Sequence, residues 1–476
     1  MKQMNNRRFL PAFVMLSAVI ALFAAWLVAY PYFLRWLEGF SFFCTLPDFT
    51  RIHYDLPADL TKYAGAFLLQ FYSSPVAGAL IQTATAVLFV SCIWGCVKRL
   101  VPEPETLMWM AFLPLPAFVY YQQSDLTLSR ALTVLVISFS VMMVVMLLTI
   151  KKKRFVVLPK ALRNTTVSVS LSLILILSSA ALLVKGSDLT RGYEEVARLE
   201  YFAERQEWDE ILETVSIQES VNNEYKRKYV LLALMNTGQL TDYAFSYGLS
   251  DSDDFLFYNI QEPFCLGFNV LFYKSLGMYN PAIYNTYQEA VQSVPGLSFD
   301  TVRYLADTYL ELGDHALAKK YLDILAHSAC HGRWVKERLP RLDSLKGKKP
   351  VYPQSGPLFS MESFLPDISS MSDRYPHDPR FADLMLCAVL SEKDGNTFYN
   401  IFNVVSRTLY PDGRNIPKLY QEALLLVASQ NPDILNRYFI EEDVWKRFID
   451  FTDLMQKGRS AEAKRKYAET YWAYVY

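Results

Sequence analysis

Residues 131–154 read ALTVLVISFSVMMVVMLLTIKKKR, and this stretch indicates what kind of protein the chain encodes. Residues 131–150 carry no charge, and four basic residues follow them directly. A helix of roughly 20 apolar residues spans the hydrocarbon core of a bilayer, which is about 30 Å thick. Lys and Arg clustered at one end of such a helix are typical of its cytoplasmic end. The stretch therefore predicts a transmembrane helix and also its orientation.

Four other stretches of the N-terminal part have the same apolar character. The run 9–30 follows Arg7 and Arg8, as a secretory signal would, but it is longer than a signal's apolar region and has no small-residue cleavage site. The run 107–121 is short and contains Pro114 and Pro116. In all, the sequence predicts five spans, at 9–30, 76–96, 107–121, 131–150 and 164–184.

The distribution of Lys and Arg between the spans predicts the topology. A cytoplasmic N-terminus places eleven basic residues inside, against Arg35, Arg51, Lys62 and Arg130 outside. If 107–121 did not cross, the basic cluster at 151–154 would lie outside, against this rule. Five spans place residues 186–476 on the extracytoplasmic side. We therefore expect a multi-pass protein of the bacterial inner membrane with a periplasmic C-terminal domain.

The net charge of −1 conceals two parts of opposite sign. Residues 1–185 carry 16 basic and 7 acidic side chains, whereas residues 186–476 carry 31 basic and 41 acidic ones. The membrane domain, 1–185, is therefore basic, and the remainder is acidic. A composition that is 52% hydrophobic and 15% aromatic excludes a disordered chain. The composition also argues against a basic nucleic-acid binder, so the bilayer is the expected partner of the first part.

Residues 186–345 show a rhythm of paired amphipathic helices. Three of the predicted turns fall at Gly238, Gly277 and Gly313, which are 39 and 36 residues apart. This spacing is close to the 34-residue unit of tetratricopeptide (TPR) repeats. The stretch 304–322, YLADTYLELGDHALAKKYL, fits that unit best, since it supplies small and aromatic residues for the packing of paired helices. The sequence therefore predicts a TPR-like α-solenoid.

A proline-rich segment follows the repeats. Six prolines fall within residues 346–379, which predicts a long extended linker rather than a helix pair. Residues 380–476 return to helical patterns and end in YWAYVY, an aromatic tail that we expect to dock. The fold class is thus all-α, with a bundle of five transmembrane helices, a TPR-like α-solenoid and a further helical block.

Several stretches of the C-terminal part resemble a known family. They are YFAERQEWDEIL at 201–212, residues 231–247 with the turn NTGQL, LGMYNPA at 276–282 and ETYWAY at 469–474. The chain resembles an uncharacterised family of bacterial multi-pass membrane proteins, a domain of unknown function with a tetratricopeptide-like C-terminal region. The resemblance covers most of the chain. It implies the architecture and the membrane location, and it implies no catalytic residues.

Two groups of residues are candidates for chemistry. His327 and His331 are four residues apart with Cys330 beside them, and on one face of a helix they would form three ligands for a transition metal. The competing interpretation is a structural helix end, where His complements the helix dipole. The second group is Asp48, Asp55 and Asp59, carboxylates of the loop after the first span, which in a membrane enzyme would act as bases or metal ligands. A solvated loop is the simpler interpretation.

The function expected from these features is that of a non-enzymatic scaffold or adaptor, anchored in the membrane and binding a protein or peptide of the cell envelope. The sequence lacks a phosphate loop, a dinucleotide fingerprint and a nucleophile elbow, so we expect no cofactor. The alternative is an envelope glycan or lipid transferase that uses the carboxylates of the first loop. The six cysteines show no pairing pattern, and we expect mostly free, buried thiols.

Overall fold

The structure is a computed structural model, and it describes residues 2–149, 164–258, 263–293, 296–351, 364–429 and 432–476. Every regular element within these ranges is a helix, and none of the described residues forms a strand. The prediction of an all-α protein is therefore confirmed for the part of the chain that is described.

The helices are numbered in chain order. The first nine are α1 (Lys2–Ala29), α2 (Pro31–Phe40), α3 (Pro47–His53), α4 (Leu60–Leu69), α5 (Pro75–Leu100), α6 (Trp109–Phe112), α7 (Leu115–Gln123), α8 (Ser129–Leu148) and α9 (Thr165–Lys185). The next ten are α10 (Asp188–Glu204), α11 (Trp208–Thr214), α12 (Ile217–Asn222), α13 (Glu224–Thr237), α14 (Leu240–Tyr243), α15 (Pro263–Ser275), α16 (Tyr279–Gln292), α17 (Phe299–Glu311), α18 (His315–Ala326) and α19 (Gly332–Ser344). The last seven are α20 (Phe364–Arg374), α21 (Pro379–Ser391), α22 (Gly395–Leu409), α23 (Lys418–Ala428), α24 (Glu442–Gln456), α25 (Ser460–Lys466) and α26 (Tyr471–Val475).

Four helices of the described residues are long and apolar enough to cross a membrane. They are Phe9–Ala29, Pro75–Leu100, Ser129–Leu148 and Thr165–Lys185. Each lies within a few residues of a predicted span, although residue 150, the predicted end of one, lies outside the described residues. Of the helix Ser129–Leu148, only 6% of the apolar window is buried within the protein, so this helix is the least covered of the four.

The prediction of a fifth continuous span at 107–121 is wrong. The chain there forms a short 3₁₀ turn at Pro104–Leu107 and then two short helices, α6 and α7. The break falls at Leu113 and Pro114, and Pro116 lies in the first turn of α7. Proline has no N–H to donate and its ring clashes with the preceding turn, so two prolines this close together favour the break between α6 and α7.

Contacts at both ends of α5 and α8 establish their directions. Arg99, near the end of α5, donates from Nε to Oγ1 of Thr149, just beyond α8, at 3.2 Å. Seven residues into α5, Gln82 Oε1 accepts from Nε2 of Gln122 at 2.8 Å, and Gln122 precedes α8 by seven residues. The two helices therefore run in the same direction. Consequently, residues 101–128 return from one end of the bundle to the other through α6 and α7.

A short helix follows the first long one. The first turn of α2 has Pro31 at its start, where a missing N–H is tolerated. The carboxylate of Glu194, in α10, accepts hydrogen bonds from the backbone N–H of Tyr32 at 3.3 Å and of Phe33 at 2.7 Å. A distant side chain thus caps α2 by satisfying N–H groups that have no partner within the helix.

Packing divides the chain into two compact units that interleave along the sequence. Unit 1 comprises residues 1–198 and 286–351, and unit 2 comprises residues 199–285 and 352–476. The predicted boundaries at 185 and 345 follow sequence order instead. Unit 1 therefore combines the long apolar helices with α17, α18 and α19.

The predicted helix pairs are present with changed lengths. The three turn glycines, 238, 277 and 313, have φ values of 72°, 70° and 74°, which a residue without a Cβ adopts at little cost. Each ends a helix of 13 or 14 residues, namely α13, α15 or α17. However, the second helix of the first of these pairs, α14, has only four residues. The structure therefore contains helix pairs at these turns, and their TPR-like character stays a prediction.

The predicted linker contains a helix, so the prediction of a continuous extended segment at 346–379 is wrong for its second half. Residues 364–374 form α20, which buries Phe364 and Ile368. Pro366 lies in the first turn of α20, where proline is compatible with a helix. Residues 352–363 of the linker lie outside the described residues.

The C-terminal aromatic tail is docked, as expected. Trp472 is fully buried and its indole N–H donates to the carbonyl of Glu422 at 2.9 Å. The hydroxyl of Tyr471 donates to the carbonyl of Leu390 at 2.9 Å. Trp472 packs in a cluster with Val444, Phe451 and other residues of α24 and α25, so the tail completes the core of the last helices.

Candidate functional site

The three predicted metal ligands do not lie on one helix. Helix α18 ends at Ala326 and α19 begins at Gly332, so His327, Cys330 and His331 occupy the turn between them. This position at a helix end agrees with the structural interpretation of these residues and not with three ligands on one helical face. His327 is exposed, with Nδ1 2.8 Å from the carbonyl of Asp323. No group of three or more potential metal ligands occurs among the described residues.

His331 instead belongs to a buried polar cluster. Its Nε2 lies 2.9 Å from Oε1 of Glu38, a carboxylate of α2 that is 1% exposed. Its ring stacks on Phe299, with centroids 4.2 Å apart. Arg303 donates from Nη1 to Oε2 of Glu38 at 3.1 Å and also pairs with Asp300. We name the residues Glu38, Asp300, Arg303, Ser328 and His331 the junction cluster.

Backbone contacts hold the two sides of the junction cluster together. The amide of Phe299 donates to the carbonyl of Ser41 at 2.8 Å, and the amide of Thr45 donates to the carbonyl of His327 at 2.9 Å. Gln70, fully buried, accepts from the amide of Ala329 at 2.8 Å. Segment 31–74, which follows the first long helix, is thereby bonded at several points to the helices α17–α19. All of these residues belong to unit 1.

A glycine permits the close approach of α2 to α17. A Cβ at Gly39 would clash with the carboxylate of Asp300, so a larger residue at this position requires that side chain to move. Gly39 follows Glu38 directly in α2.

The charges of the junction cluster determine the state of Glu38. Burial alone would raise the pKa of this carboxyl, but Arg303 and His331 outweigh the effect of burial and lower its pKa. Glu38 is therefore held as a carboxylate. Asp300 supplies a second carboxylate that pairs with Arg303.

Ser328 extends the hydrogen-bond series to three side chains. Its hydroxyl lies 2.8 Å from Nδ1 of His331 and 2.9 Å from the carbonyl of Leu325. A serine, a histidine and a carboxylate in series are the parts of a nucleophilic triad. However, Ser328 is only 8% exposed, and a hydroxyl that donates to Leu325 accepts rather than donates at His331. This arrangement suits a structural role better than a catalytic one.

Cys330 lies beside the cluster without joining it. Burial and the charge of Glu38 raise the pKa of its thiol, so the thiol is held in its unreactive, protonated form. All six cysteines are free thiols. Four of them are buried, namely Cys44, Cys92, Cys265 and Cys387, which confirms the expectation of mostly free, buried thiols.

The three aspartates of the first loop are only partly brought together. Asp55 and Asp59 line an open depression of about 850 Å³ with Arg51, His53 and Tyr54, whereas Asp48 does not line it. Oδ2 of Asp59 accepts from the backbone N–H of Asp55 at 3.1 Å, and a hydrogen bond from Lys62 lowers the pKa of Asp59. Asp48 is highly exposed and pairs with Arg51 at 3.4 Å. The hydrogen bond from Asp55 thus gives Asp59 a structural role in its own loop. Asp48 does not line the depression.

Sequence reasoning missed Glu38, Arg303 and Asp300 as parts of a site. Glu38 is the one acidic residue in the aromatic helix sequence PYFLRWLEGF, and a lone carboxylate in an apolar helix is a signal that a partner is needed. Its partners lie more than 260 residues away along the chain, so no local pattern identifies them.

These observations define the class of the protein. It is a helical protein in which the long apolar helices and the helices α17–α19 form one compact unit, held together in part by the buried charges of the junction cluster. The chain belongs to the family of unknown function DUF6057, which matches residues 6–186 and 128–476. No curated protein and no solved structure matches the chain.

Proposed function

We propose that the protein is a multi-pass membrane scaffold that presents its C-terminal helices outside the cytoplasm to a protein partner. The four long helices supply four of its membrane crossings. The broken segment at 101–128 supplies the fifth crossing, because α5 and α8 run in the same direction. A broken helix is compatible with a membrane interior where it is covered by other helices. Phe118 of α7 stacks on Phe89 of α5 at 4.3 Å, which is such cover.

The basic residues support the orientation. Lys98 and Arg99 lie at the end of α5, at the same end of the bundle as Thr149. The sequence places the basic cluster 151–154 directly after this end, although those residues lie outside the described ones. The positive-inside rule makes this end cytoplasmic. Residues 186–476 are then extracytoplasmic, which in a bacterium means an inner-membrane protein with a periplasmic domain.

The observation that carries the scaffold proposal is an exposed apolar strip in unit 2. On α24, Trp445 is 38% exposed and Ile449 is 51% exposed. The two residues are four apart on one helix and therefore neighbours on its surface. Phe439, just before this helix, is 56% exposed. Large apolar side chains that stand together at a surface outside the membrane are typical of sites for protein partners.

The charge of the C-terminal part indicates the partner's chemistry. Residues 186–476 carry 41 acidic side chains against 31 basic ones. A surface with this excess attracts a basic protein or peptide, and salt weakens that attraction. A TPR-like arrangement of the helix pairs in residues 186–345 is part of this proposal.

The test is site-specific photo-crosslinking in the full chain within cells. A photoreactive residue at Trp445 or Ile449 should form an adduct of one defined mass, and high salt should reduce its yield in isolated membranes. Arg333 is the control position, because its side chain is 92% exposed but lies outside the strip. A strip that forms no defined adduct at low salt would contradict the proposal.

The full chain is required for this test. A fragment beginning at residue 186 would contain Arg303 and His331 without Glu38, their partner in α2. Such a fragment would expose His331, which is buried in the intact protein, and would leave Arg303 without its partner Glu38. Any acidic contaminant could then bind to it, so its capture of a protein would be uninformative.

A second candidate is an envelope enzyme, a glycan or lipid transferase. The observation in its favour is the depression that brings Asp55, Asp59 and His53 together in the loop after the first long helix. Alanine at Asp48, Asp55 and Asp59 in turn distinguishes the candidates. Loss of a cellular phenotype at Asp55 and Asp59, with Asp48 unaffected and protein levels normal, would favour the enzyme. No effect at any position would favour the scaffold.

A further inference from the structure

Three large apolar side chains are exposed in the loop after the first long helix. We name residues 46–60 the first loop, and within it Ile52 is 72% exposed, Leu60 is 55% exposed and Leu56 is 45% exposed. Helix α3, which occupies residues 47–53 of this loop, has no buried residue. An apolar surface that the protein itself leaves uncovered is typical of a site for a protein or for lipid. The position of the loop along the helix bundle decides between the two.

Contacts of α4, the helix that begins at the end of the first loop, give this position. The hydroxyl of Thr133, one turn into α8, donates to the hydroxyl of Thr61 at 3.0 Å. Gly65 packs on the chain just before α8, since a Cβ there would lie 2.6 Å from the carbonyl oxygen of Thr127. Helix α4 therefore runs antiparallel to α8. Its first residue, Leu60, lies farther along α8 than Gly65 does.

Helix α8 gives the depth of the first loop. It is one of the four helices that are long and apolar enough to cross a membrane. At 1.5 Å per residue, Thr133 lies about 6 Å into this helix. Leu60 is therefore level with the first turns of α8, where Ile137 is 57% exposed. The other end of α4 leads away to Gln70, which accepts from the amide of Ala329. The first loop is thus the part of this segment that lies beside the apolar surface of α8.

Aromatic side chains of the same segment support this depth. Tyr54 of the first loop meets Tyr63 of α4 edge to face, with ring centroids 5.4 Å apart. Phe43 meets both Tyr63 and Phe67, at 5.1 and 5.5 Å. Phe67 is itself 37% exposed. Aromatic residues are enriched at the headgroup level of membrane proteins, because their rings suit a boundary between apolar and polar surroundings.

The depression in the first loop has the lining that a phospholipid requires. Its volume is about 850 Å³, and Ile52 and Leu56 line it together with Arg51, His53 and Asp55. Apolar side chains suit the acyl chains of a lipid, whereas charged and polar ones suit its headgroup. A phospholipid combines these two chemistries in one molecule, and the depression combines them in one loop.

We propose that the first loop docks into the lipid leaflet at which α8 begins, with a phospholipid in its depression. In the orientation proposed above, this is the outer leaflet. Ile52, Leu56 and Leu60 lie among the acyl chains, and the charged side chains of the loop lie among the headgroups. The docking rests on the proposed crossing of the membrane by α8. It is independent of the strip on α24, and it requires no catalytic role for any aspartate of the loop.

Photo-crosslinking of the full chain in nanodiscs of phosphatidylethanolamine and phosphatidylglycerol tests this docking. A photoreactive residue at Ile52 should form adducts with the mass of one phospholipid, in about five times the yield found at Val351. Val351 is the matched control, because it is apolar, 77% exposed and outside the first loop. Equal yields at the two positions would overturn the proposal. Adducts of Ile52 with protein alone would do the same, since they would identify a protein-docking surface.

A third position separates the docking from the crossing on which it rests. Lipid adducts at Ile137 of α8 but not at Ile52 would overturn the docking and leave the crossing intact. Adducts at neither position would overturn both. If a variant fails to fold, the unsubstituted chain is irradiated with phospholipids that carry a photoreactive group on an acyl chain. The label should then appear in peptides from residues 46–60, and its absence from them would overturn the proposal.

Discussion

In two regions of the molecule, a buried glutamate holds a chain segment in place. The pKa of the glutamate is lowered in one region and raised in the other. In the junction cluster of unit 1, Glu38 meets Arg303 and His331, and its pKa is lowered in spite of burial. In unit 2, Glu422 accepts from the amide of Tyr471 at 2.7 Å, and burial raises its pKa to about 7. Burial alone therefore does not determine whether a carboxyl group of this protein is protonated.

The two glutamates differ in the groups that surround their carboxyl oxygens. At Glu38, the hydrogen bonds and charges of Arg303 and His331 lower the pKa by more than burial raises it. At Glu422, the amide of Tyr471 and the charges of Arg447 and Lys418 also lower the pKa, but burial outweighs them. The junction cluster therefore holds α2 through charged groups, and removing one of these charges should destabilise unit 1. Glu422 holds the C-terminal tail with little charge, and the stability of the tail should depend mainly on pH.

The largest effect is expected from Glu38→Ala, which removes the buried carboxylate that pairs with Arg303 and His331. Removing one partner of a buried ion pair costs about 3–5 kcal/mol. Peptide-level thiol labelling of the full chain in detergent measures this loss in unit 1, through the exposure of Cys44, which is 2% exposed in the native protein. Cys387, fully buried in unit 2, is the internal control and should be labelled at its usual rate.

Asp307→Ala is the matched variant for that comparison. Asp307 pairs with Arg338 through two hydrogen bonds of 2.5 and 3.0 Å, but its side chain is 30% exposed. Solvent reduces the value of such a pair to about 1 kcal/mol or less. Equal losses in the two variants would show that the burial of Glu38 has no special consequence for unit 1.

An intermediate effect is expected from Glu422→Gln, and it should depend on pH. The folded-state pKa of about 7 lies above the unfolded value of 4.5. The stability that Glu422 contributes is therefore fully present below pH 4.5 and is lost as pH rises through 7. The amide keeps an acceptor for Tyr471 and stays neutral, so the variant should be more stable by up to about 3 kcal/mol at pH 8. At pH 4, where Glu422 is protonated, it should show no gain.

Hydrogen exchange of the C-terminal peptide, residues 471–476, measures this effect locally. Slower exchange in the variant at pH 8, with no difference in the peptides of α1, is the expected result. Faster exchange at pH 8 would mean that the charged form of Glu422 holds the tail.

A smaller effect is expected at the cap of α2. Burial raises the pKa of Glu194 to about 7, and its carboxyl group accepts from the amides of Tyr32 and Phe33. Glu194→Ala should destabilise α2 by about 1 kcal/mol, the usual value of an N-cap, whereas Glu194→Gln should retain most of the cap. Hydrogen exchange at residues 32–36 measures both. Equal exchange in the two variants would show that the carboxyl group does not cap the helix.

The smallest effect is expected from Asp48→Ala. Asp48 and Arg51 are 84% and 82% exposed and lie 3.4 Å apart, so their pairing is weakened by solvent. The melting temperature should be unchanged. A measurable loss would reveal a partner of Asp48 other than Arg51.

The sequence predicts the long helices of unit 1 well because length and apolar character are local properties. The helix Pro75–Leu100 and the predicted span 76–96 agree for this reason. Residues 107–121 have the same apolar character, yet Pro114 and Pro116 divide them. The sequence shows both prolines, but only the directions of the neighbouring helices show that the broken segment still joins opposite ends of the bundle.

The candidate site could be predicted only in part. His331 was singled out for its spacing from His327, but α18 ends at Ala326, and the two histidines have different surroundings. Its actual partner, Glu38, lies 293 positions earlier in the chain. Pairing over this distance depends on the packing of α2 against α17, and a single sequence contains no local pattern for it.

The central claim is that the chain crosses the membrane five times and presents its acidic helices outside the cytoplasm. A reporter enzyme that is active only outside the cytoplasm, fused after Tyr476, tests it most directly. The account predicts high reporter activity there, and low activity when the same enzyme is fused after residue 155, beyond α8. An inactive C-terminal fusion, with a cytoplasm-specific reporter active at the same position, would contradict the five crossings and place the helices inside the cell.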